Sequence, residues 1–150
     1  MGENVNFGKL IHGGDYNPEQ WLHMPEILEK DIEYFKKAKI NEVSLGIFSW
    51  STLEPEEGVF NFEWMERIID RLYENGISVM LATPSGARPK WMADKYPEVL
   101  RVDEGRHRNL FGARHNHCYT SPAGISQPAI PPNFFTSGES KSLYLQFGQI

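Results

Sequence analysis

The sequence predicts an α/β protein with a parallel sheet. Three observations predict it: short apolar runs alternate with longer amphipathic ones, the connections are short, and turn residues punctuate them. Strand–helix–strand–helix–strand order with short links implies parallel strands and right-handed crossovers. The strand runs read as continuously apolar, as expected of strands covered by helices. Two architectures satisfy the pattern, an open doubly wound sheet and a (β/α)8 barrel.

The elements follow in order. "KLIHGGDY" is a first strand ending at Asp15-Tyr16. "PEILEKDIEYFKKAKI" opens with Pro25, suited to a first helical turn, and places Ile27, Leu28, Ile32, Phe35 and Ala38 on one side. "NEVSLGIFSW" is a second strand. Asn61 is expected to cap the next helix, where Phe62, Met65, Ile68, Ile69 and Leu72 recur at helical spacing, and Gly76 stops it. "ISVMLATP" is a third strand, closed by Pro84. From Ala123 the texture changes: Pro, Gly and Ser mix with scattered aromatics, Glu139 and Lys141 are the only charges, and a helical period is hinted at only in "SLYLQF". The division expected is therefore 1–122 as the ordered portion and 123–150 as an irregular tail.

The 150 residues are one domain's worth, with formal charge −5 and pI near 5.5. That balance and the lack of a Lys/Arg run argue against nucleic acid as a partner. One cysteine, Cys118, fits a reducing compartment. The opening "MGENVNFGKLIHGGDYNPEQW" has neither a basic n-region nor an apolar h-region, and no apolar run approaches the roughly 20 residues that span a bilayer. A cytoplasmic protein without a membrane partner is expected. No GxGxxG follows the first strand and no GxxxxGK[ST] occurs, which disfavours a phosphate-cradling nucleotide fold.

In a parallel barrel the active site lies where strands end and loops to helices begin. Three such ends are readable: Asp15-Tyr16-Asn17, Phe48-Ser49-Trp50 and Thr83-Pro84-Ser85. They are aromatic and polar, and Trp21, Trp50 and Trp91 stand in or near connecting segments. Flat rings beside hydrogen-bonding groups suit sugars, although most tryptophans are packing residues. A denser cluster follows in "FGARHNHCYTSP", which joins Arg114, His115, His117 and Cys118.

Taken in order and spacing, "GDYNPEQW", "GIFSWSTLEPEEGVFNFEWM", "ATPSGARPKWMADKYPEVL" and "FGARHNHCYTSP" resemble the start of a glycoside hydrolase family 42 β-galactosidase, over Leu10 to Pro122. The resemblance implies an incomplete (β/α)8 TIM barrel, its first three βα units, from a retaining glycosidase that acts on terminal β-galactosides. It implies that Arg114 binds the galactose in the innermost subsite, a task suited to the fixed fork of a guanidinium. Cys118 matches the first ligand of a structural zinc cluster found in part of the family, whose other cysteines come later in the chain. The chemistry itself needs no cofactor. A β-galactoside or galacto-oligosaccharide is the implied substrate, and a homo-oligomer, a trimer in the family, the implied assembly.

Retaining hydrolysis needs two carboxyl groups about 5–5.5 Å apart. The family takes them from the ends of the fourth and seventh strands, the acid/base after an asparagine. The Asn41-Glu42 pair here begins the second strand and so lies on the opposite rim. Glu54 and Glu56 lie on the correct rim, with Glu54, before Pro55, read as ordering the loop. Glu139 matches no family position. The expected catalytic set within this chain is therefore none, and the isolated chain is expected to be inactive.

After "CYTSP" the family continues with a helix and the Asn-Glu strand, whereas this chain gives "AGISQPAIPP". A reading-frame shift or truncated gene would produce that break, and translation beyond codon 150 is expected to recover an Asn-Glu strand. Three strands alone would leave the third with an unpaired edge and deprive barrel-facing Val43, Leu45, Val79 and Leu81 of partners, so a marginal or oligomerising fold is expected. Two other classes fit the residues: a non-catalytic carbohydrate-binding or assembly module, and a small metal-binding protein using His115, His117 and Cys118.

Overall fold

The structure is a computed structural model that describes residues 10–84, 86–112, 117–118 and 120–121, together with the backbone of 144–145. Among the described residues four strands form one parallel sheet in chain order: β1 (Gly13–Tyr16), β2 (Glu42–Leu45), β3 (Ser78–Leu81) and β4 (Tyr144–Leu145). Gly13 lies opposite Glu42, and Glu42 opposite Ser78, so the first three strands run in even register.

Helix α1 (Pro25–Lys37) joins β1 to β2, and the short α2 (Trp50–Leu53) and longer α3 (Glu63–Glu74) join β2 to β3. Pro25 does stand at the start of α1, where its missing N–H costs nothing. Ile32 is its buried residue, with Leu28 and Phe35 packed alongside, while Ala38 is an exposed C-cap rather than part of that face. Helix α3 buries Trp64, Met65, Ile68 and Leu72. Phe62, not Asn61, occupies its N-cap, with no side-chain cap bond, and the Asn61 N–H donates to the Leu53 carbonyl at 2.8 Å. Gly76 turns the chain with φ +75, a backbone conformation that suits glycine. A bidentate pair from Arg71 to Glu29, at 2.6 and 2.7 Å, ties α3 to α1 across their exposed sides.

The core lies between the sheet and this helical layer. Val43, Leu45, Val79 and Leu81 pack with Ile32, Met65, Ile68 and Leu72. These four strand residues therefore face the helices, not a barrel interior, and keep their partners within this segment. The strands also alternate rather than run continuously apolar: Glu42 and Ser44 in β2, and Ser78 and Met80 in β3, occupy the opposite face. The four-residue strands are shorter than the apolar runs that contain them. The edge of β3 is not bare, since Met80 and Leu81 pair with the backbone of Tyr144 and Leu145. The stretch "SLYLQF" thus contributes a strand where a helical period was expected, and the tail is not wholly irregular.

Candidate functional site

The loops after β2 and β3 fold together at the C-terminal ends of the strands. Trp50 opens α2 directly after the β2 run and is fully buried, packed with Met92 and Val99. Met92 lies on a further short helix, α4 (Lys90–Lys95), and Val99 on a 3-10 turn (Pro97–Val99). Helix α4 carries Trp91, whose indole N–H donates to the Glu54 carbonyl at 2.9 Å. Tyr96 and Lys95 both bind the Glu57 carboxylate, so the loop after β2 is stapled to α4 at two places.

Glu54 is 6% exposed. Its carboxylate accepts the Trp50 indole N–H at 2.8 Å and the Gly58 amide at 2.9 Å. Both oxygens are thus engaged in holding the loop, as the sequence reading of Glu54 required. Glu56 is exposed and forms an isolated bridge with Val59. Glu42 stands at the first position of β2, on the far rim from these loops.

Arg88 is the group that sequence reasoning missed. It lies in the loop between β3 and α4, is 3% exposed, and places its guanidinium 5.3 Å from the Trp50 ring centroid. Ala87 before it has φ 48, an uncommon conformation for a residue with a Cβ, and strain of that kind gathers at functional loops. The available signal was a cation between a strand-end Gly-Ala and a proline in "SGARPKW".

The strand-end residues do not all converge. Tyr16 turns to the helical layer: its hydroxyl donates to Asp31 on α1 at 2.9 Å and its ring meets Phe35 edge-on at 5.1 Å. Burial and the neighbouring Asp31 push its phenol well above the usual range. Tyr16 therefore packs with the helical layer and Trp50 with a separate cluster. Trp64 is buried in the core on α3, while Trp21 is 46% exposed at the end of a 3-10 turn after β1.

Of the "FGARHNHCYTSP" cluster, Arg114 and His115 lie outside the described residues. His117 is buried and pairs with Leu100, and the Cys118 amide donates to the Val99 carbonyl at 2.7 Å. The end of the motif is thereby pinned to the turn beneath Trp50. The Cys118 Sγ lies 3.2 Å from the Thr120 hydroxyl. That hydrogen bond, backbone amides of Thr120 and Ser121, and the charge of Arg88 hold the thiol below the ordinary cysteine value. Alkylation of Cys118 by iodoacetamide should therefore reach half its maximal rate at a lower pH than a free cysteine does. Thr120→Val should move that midpoint upward, and an unchanged midpoint would contradict the hydrogen bond.

Among the described residues no group of three or more His, Cys, Asp or Glu stands close enough to hold a metal ion. No helix among them is long and apolar enough to cross a membrane.

Comparison with known proteins gives a consistent result. The family model Glyco_hydro_42, described as beta-galactosidase, matches residues 15–127. The chain is 61% identical over 122 residues to beta-galactosidase Pbg of Clostridium perfringens, covering 81% of this chain and 18% of that protein. It is 57% identical over 112 residues to beta-galactosidase GanA of Bacillus subtilis, covering 75% and 17%. The solved cold-adapted beta-galactosidase from Rahnella sp. R3 aligns with TM-score 0.73 and 61% identity over 77% of this chain and 17% of its own. The chain thus spans less than a fifth of the length of the relatives it matches.

Proposed function

Because the chain belongs to glycoside hydrolase family 42, we propose that it is a portion of a retaining β-galactosidase that releases terminal non-reducing β-D-galactose. The observation that carries this reading is 61% identity over 81% of the chain to a β-galactosidase. In this reading residues 1–122 supply the first three βα units of a (β/α)8 barrel, and 123–150 depart from the family pattern. Four parallel strands in unbroken chain order, with helices between the first three, support it.

The chemistry divides between this segment and the remainder of such an enzyme. Protonation of the leaving oxygen and attack on the anomeric carbon need a closely spaced carboxyl pair. Glu54 spends both oxygens on loop donors and Glu42 occupies the far rim, so we assign the acid and the nucleophile to strands outside this segment. Arg114 is proposed to bind galactose hydroxyls, and the buried Trp50–Arg88 cluster to support the rim at the ends of β2 and β3. Cys118 would lend one thiolate to a structural zinc only if later residues brought the other ligands. A cytoplasmic location fits the single cysteine.

A chimera tests the reading. The segment of the Clostridium perfringens relative that matches this chain is replaced by residues 10–122. The hybrid should hydrolyse nitrophenyl β-galactoside and release β-galactose first. A folded, inert hybrid would count against the proposal.

A further inference from the structure

Glu54 sits at the centre of an arrangement that simple loop closure does not require. Its two carboxylate oxygens receive two converging N–H donors, from Trp50 and Gly58, and its carbonyl receives a third from Trp91. One residue therefore holds two indoles belonging to different helices, α2 and α4. On the ring of Trp50 lies the guanidinium of Arg88. Trp50 is 0% exposed and Arg88 3%, so neither can reorient without opening the cluster.

A buried carboxylate is a costly way to fill space, since its desolvation must be offset by each bond it accepts. What it adds is direction. Two donors meeting two oxygens set the tilt of the indole, and the tilt sets where its π face meets the cation. Glutamine could not do the same, because it offers one acceptor oxygen and presents an N–H₂ to the second donor.

We propose that Glu54 is a positioning residue that, through Trp50, sets the orientation of the Arg88 guanidinium and hence the donor pattern of this rim. The inference rests on the rim being a galactoside wall, but its test uses no sugar. The ¹⁵N-labelled 150-residue chain has four tryptophans, whose indole N–H signals are assigned by Trp→Phe variants, and the Arg88 Nε–H signal is assigned by Arg88→Lys.

Glu54→Gln should speed solvent exchange of the Trp50 indole N–H about tenfold. It should also displace the Arg88 Nε–H signal as the guanidinium leaves its place over the ring. The exposed neighbour variant Glu56→Gln should leave both signals in place. A folded Glu54→Gln chain in which Trp50 responds and Arg88 does not would overturn the proposal, as would one in which neither responds. If Glu54→Gln does not fold, Glu54→Asp withdraws the oxygens by one methylene at unchanged charge and is read against the same two outcomes. An inert chimera with Arg88 displaced as expected would sink the galactoside reading alone. An active chimera with Arg88 unmoved would sink this inference alone.

Discussion

Gly13→Ala is expected to abolish the pairing of β1 with β2. A Cβ at Gly13 would overlap the backbone carbonyl oxygen of Glu42, the residue directly opposite in the register. The obstacle is main chain at the first pair of the β1–β2 ladder, so no side-chain rotation relieves it. Losing β1 also strips Tyr16 and its Phe35 contact from the core. A cost of about 4 kcal/mol or more belongs to this class of clash. Against a typical net stability of about 5–15 kcal/mol, that leaves little or no folded chain near 37 °C. Gly14 provides the control, since a Cβ there meets nothing within 4 Å. Gly14→Ala should melt close to the parent in a circular-dichroism scan. A Gly13→Ala chain that also melts like the parent would mean that the β1–β2 register is wrong.

The second large effect concerns chemistry. In the active chimera, Arg114→Ala should lower kcat/KM by about 10²–10³, the loss typical of removing one donor that meets charge in the transition state. Arg114→Lys should recover only part of it, because an ammonium carries the charge without the planar fork that spans two acceptors. Steady-state kinetics on nitrophenyl β-galactoside reads both. An Arg114→Ala hybrid as fast as its parent would remove this residue from the subsite.

The two long helices were legible because each repeats apolar residues over three turns, and Ile32, Met65, Ile68 and Leu72 duly form the core. Strand positions were legible as well, but not their facing. In "EVSL" and "SVML" a period of two is visible, yet only the position of α1 and α3 decides which face is covered. Helices α2 and α4, four and six residues long, are too short to show a period. The Asn61 cap missed by one residue, since α3 begins after Phe62 and its first turn carries no side-chain cap. The loop-ordering role of Glu54 was readable from its place before Pro55. Burial of Arg88 was not, because it depends on an indole nearly forty residues away in sequence.

The division of labour between wall and carboxylates is tested most directly by assaying the purified 150-residue chain on nitrophenyl β-galactoside. Release of nitrophenol should not exceed that in buffer, with or without Arg114, since Glu54 spends both carboxylate oxygens on loop donors and the acid and nucleophile are assigned to strands outside this segment. Turnover that follows protein concentration and vanishes in Glu54→Gln would place the reacting acid within this segment and contradict the account.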